Sequence, residues 1–263
     1  MSLKLNQCSA MQGWVWLIQA LQLFKSKPGE VFFLGNTYLF VMLIPTLFIP
    51  YVGSLFIGIL SPALTAGVML ATHNSLRGQK TKPQSLFIPL LGNNIACKKN
   101  LLKLGMIYAL SFLMIRLLNL VILGQSPPIP EDFNISEIQT HPELQQHILF
   151  SFLLVTVCTI PTMLAFWFAP ALVLWHNMSA AKAMFASCVA MWRNRYAFIV
   201  YSLGWFVLVL TAVVTSVLIV SVLGIPATFV SAIHLLLGIL IMAISLQTFY
   251  PTYISIFITD NSN

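Results

Sequence analysis

The chain has 263 residues and a formal net charge of +7; 59% of the residues are hydrophobic, only 7% are charged, and mean hydropathy is +0.90. Soluble domains carry about 25% charged residues. This composition therefore excludes a soluble globular protein, a disordered chain and, despite a pI of ≈ 9.4, a soluble nucleic-acid-binding domain.

The charges delimit the elements. Asp, Glu, Lys and Arg are absent from residues 31–76, 144–181 and 196–259. A helix rises about 1.5 Å per residue and a bilayer core is about 30 Å thick, so about 20 residues make one crossing. With the apolar run 104–123, the chain predicts six spans, at about 31–50, 54–75, 104–123, 148–175, 197–222 and 228–257. Lipid gives the backbone no partner, so a span is a helix or part of a closed barrel. Runs such as residues 207–220 do not alternate as barrel strands must, which leaves helices. The fold class is all-α, one polytopic membrane domain over residues 1–263.

In chain order, the first element precedes any span. Over residues 11–27, Trp14, Leu17, Ile18, Leu21 and Phe24 share one face at helical spacing, and Lys25 and Lys27 follow. This predicts an amphipathic interfacial helix with a basic hinge. Spans 31–50 and 54–75 come next, with a tight turn expected at Pro50-Tyr-Val-Gly53. Residues 84–100 repeat the idea less cleanly: they end in Lys98 and Lys99, but Pro89 and Gly92 interrupt the helix. Span 104–123 holds Arg116, with Asn119 one turn on, and an acidic loop at 124–146 carries Glu131, Asp132, Glu137 and Glu143. After span 148–175, residues 179–195 form the second clear interfacial helix. Ser179 is its N-cap, Met184, Phe185, Cys188, Met191 and Trp192 make its stripe, and Arg193 and Arg195 make its hinge. Spans 197–222 and 228–257 close the chain. The unit of interfacial helix, basic hinge and transmembrane hairpin thus occurs three times.

Every Lys and Arg except Arg116 falls before the first span, between the second and third, or between the fourth and fifth. This asymmetry predicts those segments, and both termini, on the cytoplasmic side. Interfacial helices sink an apolar face into the acyl boundary while Lys and Arg meet anionic headgroups. Lys25, Lys27, Lys98, Lys99, Arg193 and Arg195 are accordingly expected to face headgroups. The first 30 residues show no cleavable signal pattern, so the first span is the expected insertion signal.

Gly13-Trp-Val-Trp16 with Leu23-Phe24 and Pro28, Trp167-Phe-Ala-Pro-Ala-Leu172 with His176, and Trp192-Arg-Asn-Arg-Tyr196 with Tyr201 resemble the BPSS-type family of bacterial inner-membrane proteins. The resemblance covers nearly the whole chain and is poorest in the middle cytoplasmic segment and the acidic loop. It implies six helices in a Gram-negative cytoplasmic membrane. It brings no catalytic residues.

Few residues offer chemistry. Arg116 is the one formal charge inside a span, and the spans hold no Asp or Glu to neutralise it. It either snorkels or makes a structural contact, or marks an anion or lipid-phosphate site shared with Asn119. His73 and His176 end two spans after matching Pro-Ala-Leu segments, Pro62-Ala-Leu64 and Pro170-Ala-Leu172. They are weak metal or haem candidates and fit equally well as polar caps of helix C-termini. His234 reads as a helix-to-helix hydrogen bond. His141 and His147 carry no metal spacing, and the four cysteines show no pairing pattern. Asn134-Ile-Ser136 matches a glycosylation sequon, without meaning in a bacterial host. Gly105 with Ala109, and Gly53 with Gly58, suit close helix approach. Nucleotide-binding, zinc-protease and hydrolase signatures are absent. The expected function is non-enzymatic and without cofactor: an inner-membrane protein that contacts lipids, anionic ones above all, or serves another membrane protein as accessory subunit or scaffold. A carrier of an anionic amphipathic molecule, with its pocket at Arg116, is the alternative.

Overall fold

The computed structural model describes residues 3–126, 142–224, 226 and 228–259. Glu131, Asp132, Glu137, the Asn134 sequon and His141 lie outside the described residues. The elements run β1 (Leu3–Leu5), α1 (Gln12–Ser26), α2 (Pro28–Phe48), α3 (Pro50–Leu76), a 3-10 turn (Pro83–Phe87), α4 (Ile88–Leu91), α5 (Ile95–Leu123), α6 (Pro142–Phe166), α7 (Ala169–His176), α8 (Ala180–Arg193), α9 (Arg195–Val222), α10 (Thr228–Leu246), α11 (Phe249–Ile256) and β2 (Phe257–Thr259). Six helical segments are long and apolar enough to cross a membrane, in the places the charge-free stretches predict. The molecule is all-α and polytopic.

Proline sets several boundaries. Pro28 and Pro50 open α2 and α3, where a missing N–H costs nothing because the first turn has no acceptor for it. The chain reverses between α2 and α3 at the single residue Ile49 (φ −137°, ψ 77°). The expected turn at Pro50–Gly53 is instead the first turn of α3. A Cβ on Gly53 would lie 2.0 Å from the Pro45 carbonyl oxygen, so the two helices touch immediately after the reversal.

Neighbouring helices form a row in the order α9, α10, α2, α3, α5, α6, with α3 the most buried. Apolar side chains gain little by leaving lipid for protein, so such helices associate through close packing at small residues. The α3–α5 contact shows this. A Cβ on Gly105 would lie 1.8 Å from the Ile59 carbonyl oxygen, and one on Gly58 would meet the Ala109 methyl at 3.0 Å. Gly105, Ala109 and Gly58 therefore serve the close approach that their spacing suggests.

Two expected spans are broken. The fourth divides into α6 and α7 at Trp167–Phe168, and the sixth into α10 and α11 at Gln247–Thr248. Pro170 and Pro251 each lack the N–H that would continue the helix. At the first break the freed backbone groups find a partner from distant sequence. Phe168 N donates to Ser187 Oγ at 3.0 Å, and Ser187 Oγ donates to the Leu164 carbonyl at 2.7 Å. At the other break the Thr72 hydroxyl donates to Gln247 Oε1 at 2.8 Å.

The pre-span segments also depart from the expected faces. On α1 the buried side is Gly13, Trp16, Leu17, Ala20 and Leu23, packed on α9; Trp14 is 43% exposed. A Cβ on Gly13 would lie 2.0 Å from the Ala197 carbonyl oxygen. On α8 the buried side is Ala180, Ala183, Ser187, Ala190 and Met191, against α6 and α7, whereas Phe185 and Trp192 are 72% and 64% exposed. On α8 mostly small side chains face the protein, on α1 Gly13 and Ala20 do so beside the large Trp16, Leu17 and Leu23, and in both helices several large apolar side chains face outward. Residues 84–100 form no third helix of this kind. The 3-10 turn and α4 bring the fully buried Leu86 against Gly67 of α3, and α5 starts at Ile95 with Asn94 Oδ1 accepting from Cys97 N at 3.0 Å.

The two ends of the chain meet. Leu3 to Leu5 pair antiparallel with Phe257 to Thr259. Asn194, 1% exposed, holds this corner: its Oδ1 accepts from Cys8 N at 2.7 Å, and its Nδ2 donates to the Asn6 carbonyl at 3.2 Å. The termini thus share one face, as an even number of crossings requires.

Candidate functional site

The close α3–α5 contact at Gly58 and Ala109 belongs to the wall of a cavity. Side chains of α2, α3 and α5 line a partly open cavity of about 1030 Å³, completed by His147 of α6 and by Gln125 and Ser126 after α5. The volume lies just above the usual range for small-ligand pockets, about 300–1,000 Å³. Most of the lining is apolar: Met42, Leu55, Ile57, Phe112, Leu113 and Leu117.

Polar groups gather at the two ends. Arg116 and Asn119, three residues apart on α5, both line the cavity, with Gln125, Ser126 and His147 beside them. Asn119 Oδ1 accepts from Ser151 Oγ at 3.4 Å, while its buried Nδ2 has no partner among the described residues. Seven residues before the end of α5, Arg116 lies about 10 Å below its C-terminus. Deeper in the bundle stand Tyr38, Ser61 and Tyr108. Tyr38 lies beside Thr65, and Tyr108 beside Ser61. A smaller pocket of about 150 Å³ lies against the same residues and continues to Thr162, Phe166, Trp167 and Phe249.

The basic hinge residues divide. Lys27 is half-buried and its Nζ donates to the Ser75 carbonyl at 2.6 Å, tying the α1–α2 junction to the C-terminal end of α3. Glu30 completes the tie, its carboxylate accepting from Ser75 Oγ at 2.9 Å and Thr81 Oγ1 at 2.6 Å. Lys25, Lys99 and Arg193 are exposed, and Lys98 is half-buried. Arg195 lies over its neighbours, its guanidinium carbon 5.5 Å from the Trp192 ring and 4.6 Å from the Tyr196 ring.

The histidines meet tyrosines rather than each other. His73 Nδ1 bonds the Tyr250 hydroxyl, and His176 Nε2 bonds the Tyr253 hydroxyl at 2.7 Å, with Trp175 packed between the two tyrosines. Among the described residues no three His, Cys, Asp or Glu side chains group as metal ligands. His234 Nε2 bonds Ser216 Oγ at 2.9 Å, joining α10 to α9 as expected. Burial pushes the Cys8 thiol up, partly offset by its bond to Ser255, and burial also pushes the Cys188 thiol up. Thiols shifted this way stay protonated and unreactive at neutral pH.

Within the spans the sequence singles out Arg116 and Asn119. The tyrosines and Gln247 are not singled out in this way, yet they make buried and half-buried contacts. Asn36 is spent locally, its Nδ2 donating to the Phe32 carbonyl at 2.8 Å. Around α11, by contrast, Thr248 bonds the Tyr201 hydroxyl at 2.8 Å and Ser255 accepts from Trp16 Nε1 at 2.8 Å. With the two histidine contacts, α11 is linked to α1, α3, α7 and α9. The available signal was a cluster of hydroxylated residues around Pro251 in an otherwise apolar run.

No family model and no solved structure matches the chain. A described "probable inner membrane protein" of Burkholderia thailandensis is 30% identical over 254 residues, covering 95% of this chain and 93% of the relative. This chain belongs to the same inner-membrane protein family. With the six apolar helices, it is a multi-pass inner-membrane protein.

Proposed function

We propose that this inner-membrane protein is non-enzymatic and binds an anionic amphiphile, a membrane lipid or a molecule like one, in the cavity between α2, α3 and α5. The observation that carries the reading is the distribution of polarity in that cavity: apolar walls, with Arg116, Asn119, Gln125, Ser126 and His147 gathered at one end. A guanidinium keeps its proton and matches phosphate or carboxylate oxygens with a planar fork. Asn119, on the same face one turn away, adds an amide donor.

The same reading takes residues 1–263 as one membrane domain of three hairpins, each introduced by a cytoplasmic segment, with both termini cytoplasmic as the Lys/Arg asymmetry supports. The exposed apolar side chains on α1 and α8 and the exposed Lys25, Lys99, Arg193 and Arg195 suit an interfacial position against anionic headgroups. The tryptophan-rich motifs support placing the family with the BPSS-type proteins.

The test is native mass spectrometry of the purified protein with phosphatidylglycerol and, separately, phosphatidylcholine. The wild type retains phosphatidylglycerol preferentially. Arg116→Leu lowers that preference by about tenfold, about 1.4 kcal/mol, and Arg116→Lys lowers it less. Unchanged retention by a folded Arg116→Leu protein overturns the proposal.

A further inference from the structure

The large cavity and the smaller inner pocket share Tyr38, Ser61, Tyr108 and Phe112 as lining residues. They are two chambers against one wall. Tyr108 stands in a continuous aromatic column, its ring 4.8 Å from Phe112 on one side and 4.9 Å from Phe166 on the other. The hydroxyls at this junction face α3, Tyr108 beside Ser61 and Tyr38 beside Thr65. A passing chain meets mainly aromatic rings there. Beyond the junction the inner pocket is again mostly apolar, with Phe166, Trp167 and Phe249 around the buried Thr162.

Resting on the amphiphile-binding reading, we infer that the inner pocket is the tail subsite of the same ligand, and that Tyr38 and Tyr108 form the neck between head and tail. The rise along α5 from Arg116 to Tyr108 is about 12 Å. A short acyl chain held at Arg116 ends in the outer chamber, and a long one passes the neck into the inner pocket. The ligand class is an anionic head on a single long acyl chain, with a phosphate or a carboxylate as head. Burying each further methylene contributes about 0.8 kcal/mol, so the inner pocket sets chain-length preference.

The experiment compares octanoyl and palmitoyl lysophosphatidylglycerol by native mass spectrometry, with palmitate as a second arm to separate a phosphate head from a carboxylate head. A palmitoyl probe carrying a terminal diazirine is crosslinked to the wild type in parallel. The wild type is expected to favour the palmitoyl probe, and the diazirine to label peptides containing Phe166–Trp167 or Phe249. Thr162→Phe, which fills the inner pocket, is expected to reduce palmitoyl binding by about tenfold while leaving octanoyl binding unchanged. The crosslinking arm needs no variant, so a misfolded Thr162→Phe protein does not remove the test. Head-dependent binding, lost in Arg116→Leu, with the diazirine label confined to outward-facing residues overturns the tail subsite and leaves the amphiphile reading standing. Failure of the wild type to retain any of the probes overturns both.

Discussion

The Thr72 hydroxyl donates to Gln247 Oε1 at 2.8 Å across 175 positions of sequence, and both side chains are buried at the break between α10 and α11. The bond satisfies a polar group that would otherwise face an apolar bundle, and it fixes where α11 leaves the line of α10. Interhelical side-chain hydrogen bonds in membrane proteins average about 0.6 kcal/mol and reach about 1.7 kcal/mol. Gln247→Leu and Thr72→Val are each expected to destabilise by about 1 kcal/mol, with the double variant costing less than the two together. Unfolding of the detergent-solubilised protein measures this; strict additivity means that the pair does not couple.

Ser187 tests the other break. Its hydroxyl accepts from Phe168 N and donates to the Leu164 carbonyl. Ser187→Ala leaves a buried amide and a buried carbonyl without that partner, at an expected cost of about 1–3 kcal/mol. Ser187→Thr retains the hydroxyl and should recover part of the loss. The midpoint of thermal unfolding separates these outcomes.

The α3–α5 contact leaves no space at Gly105, where an added Cβ would meet the Ile59 carbonyl at 1.8 Å. Gly105→Leu must separate the helices, and overpacking of this kind costs about 1–3 kcal/mol. Because α3 and α5 also wall the cavity, retention of phosphatidylglycerol should fall with stability. Gly238→Ala, where an added Cβ meets nothing within 4 Å, is the control and should leave both unchanged.

Lys25 and Lys27, two positions apart in the same hinge, have different expected sensitivities. Lys27 Nζ binds the Ser75 carbonyl and neighbours Glu30, whereas Lys25 is exposed. Lys27→Gln should lower stability by about 1 kcal/mol, the scale of one hydrogen bond, and Lys25→Gln by less than half of that. Equal effects in a thermal melt would show that the α1–α3 tie contributes nothing.

Topology is open to labelling. On a cysteine-free background, Gln84→Cys should react with a membrane-impermeant maleimide only from the cytoplasmic side, and Gln125→Cys only from the opposite side. Labelling of Gln84→Cys from outside in intact cells reverses the orientation drawn from the Lys and Arg distribution.

The number, kind and approximate place of the spans were legible in the sequence because lipid leaves the backbone few options. A charge-free stretch of crossing length has to satisfy its own N–H and C=O groups, and a helix does so whatever its neighbours are. The Gly58, Gly105 and Ala109 contact was legible for a related reason: small residues are what close helix approach requires. Arg116 and Asn119 were placed on a common wall by helical spacing alone.

The rest was decided in three dimensions. Pro170 and Pro251 announced lost hydrogen bonds, but the sequence does not show whether a partner such as Ser187 waits beside the freed groups. The faces of α1 and α8 could not be read from apolar periodicity, because lipid accepts Trp14, Phe185 and Trp192 as readily as the protein does. Gly13 lets the α9 backbone approach α1 closely, and α8 turns Ala183 and Ala190 inward. The cavity beside Arg116 depends on the joint placement of α2, α3, α5 and α6, which no single segment encodes. Sequence fixes which segments enter the membrane because that balance is between each helix and solvent, and tertiary structure fixes the site because packing within lipid is a balance between one helix and another.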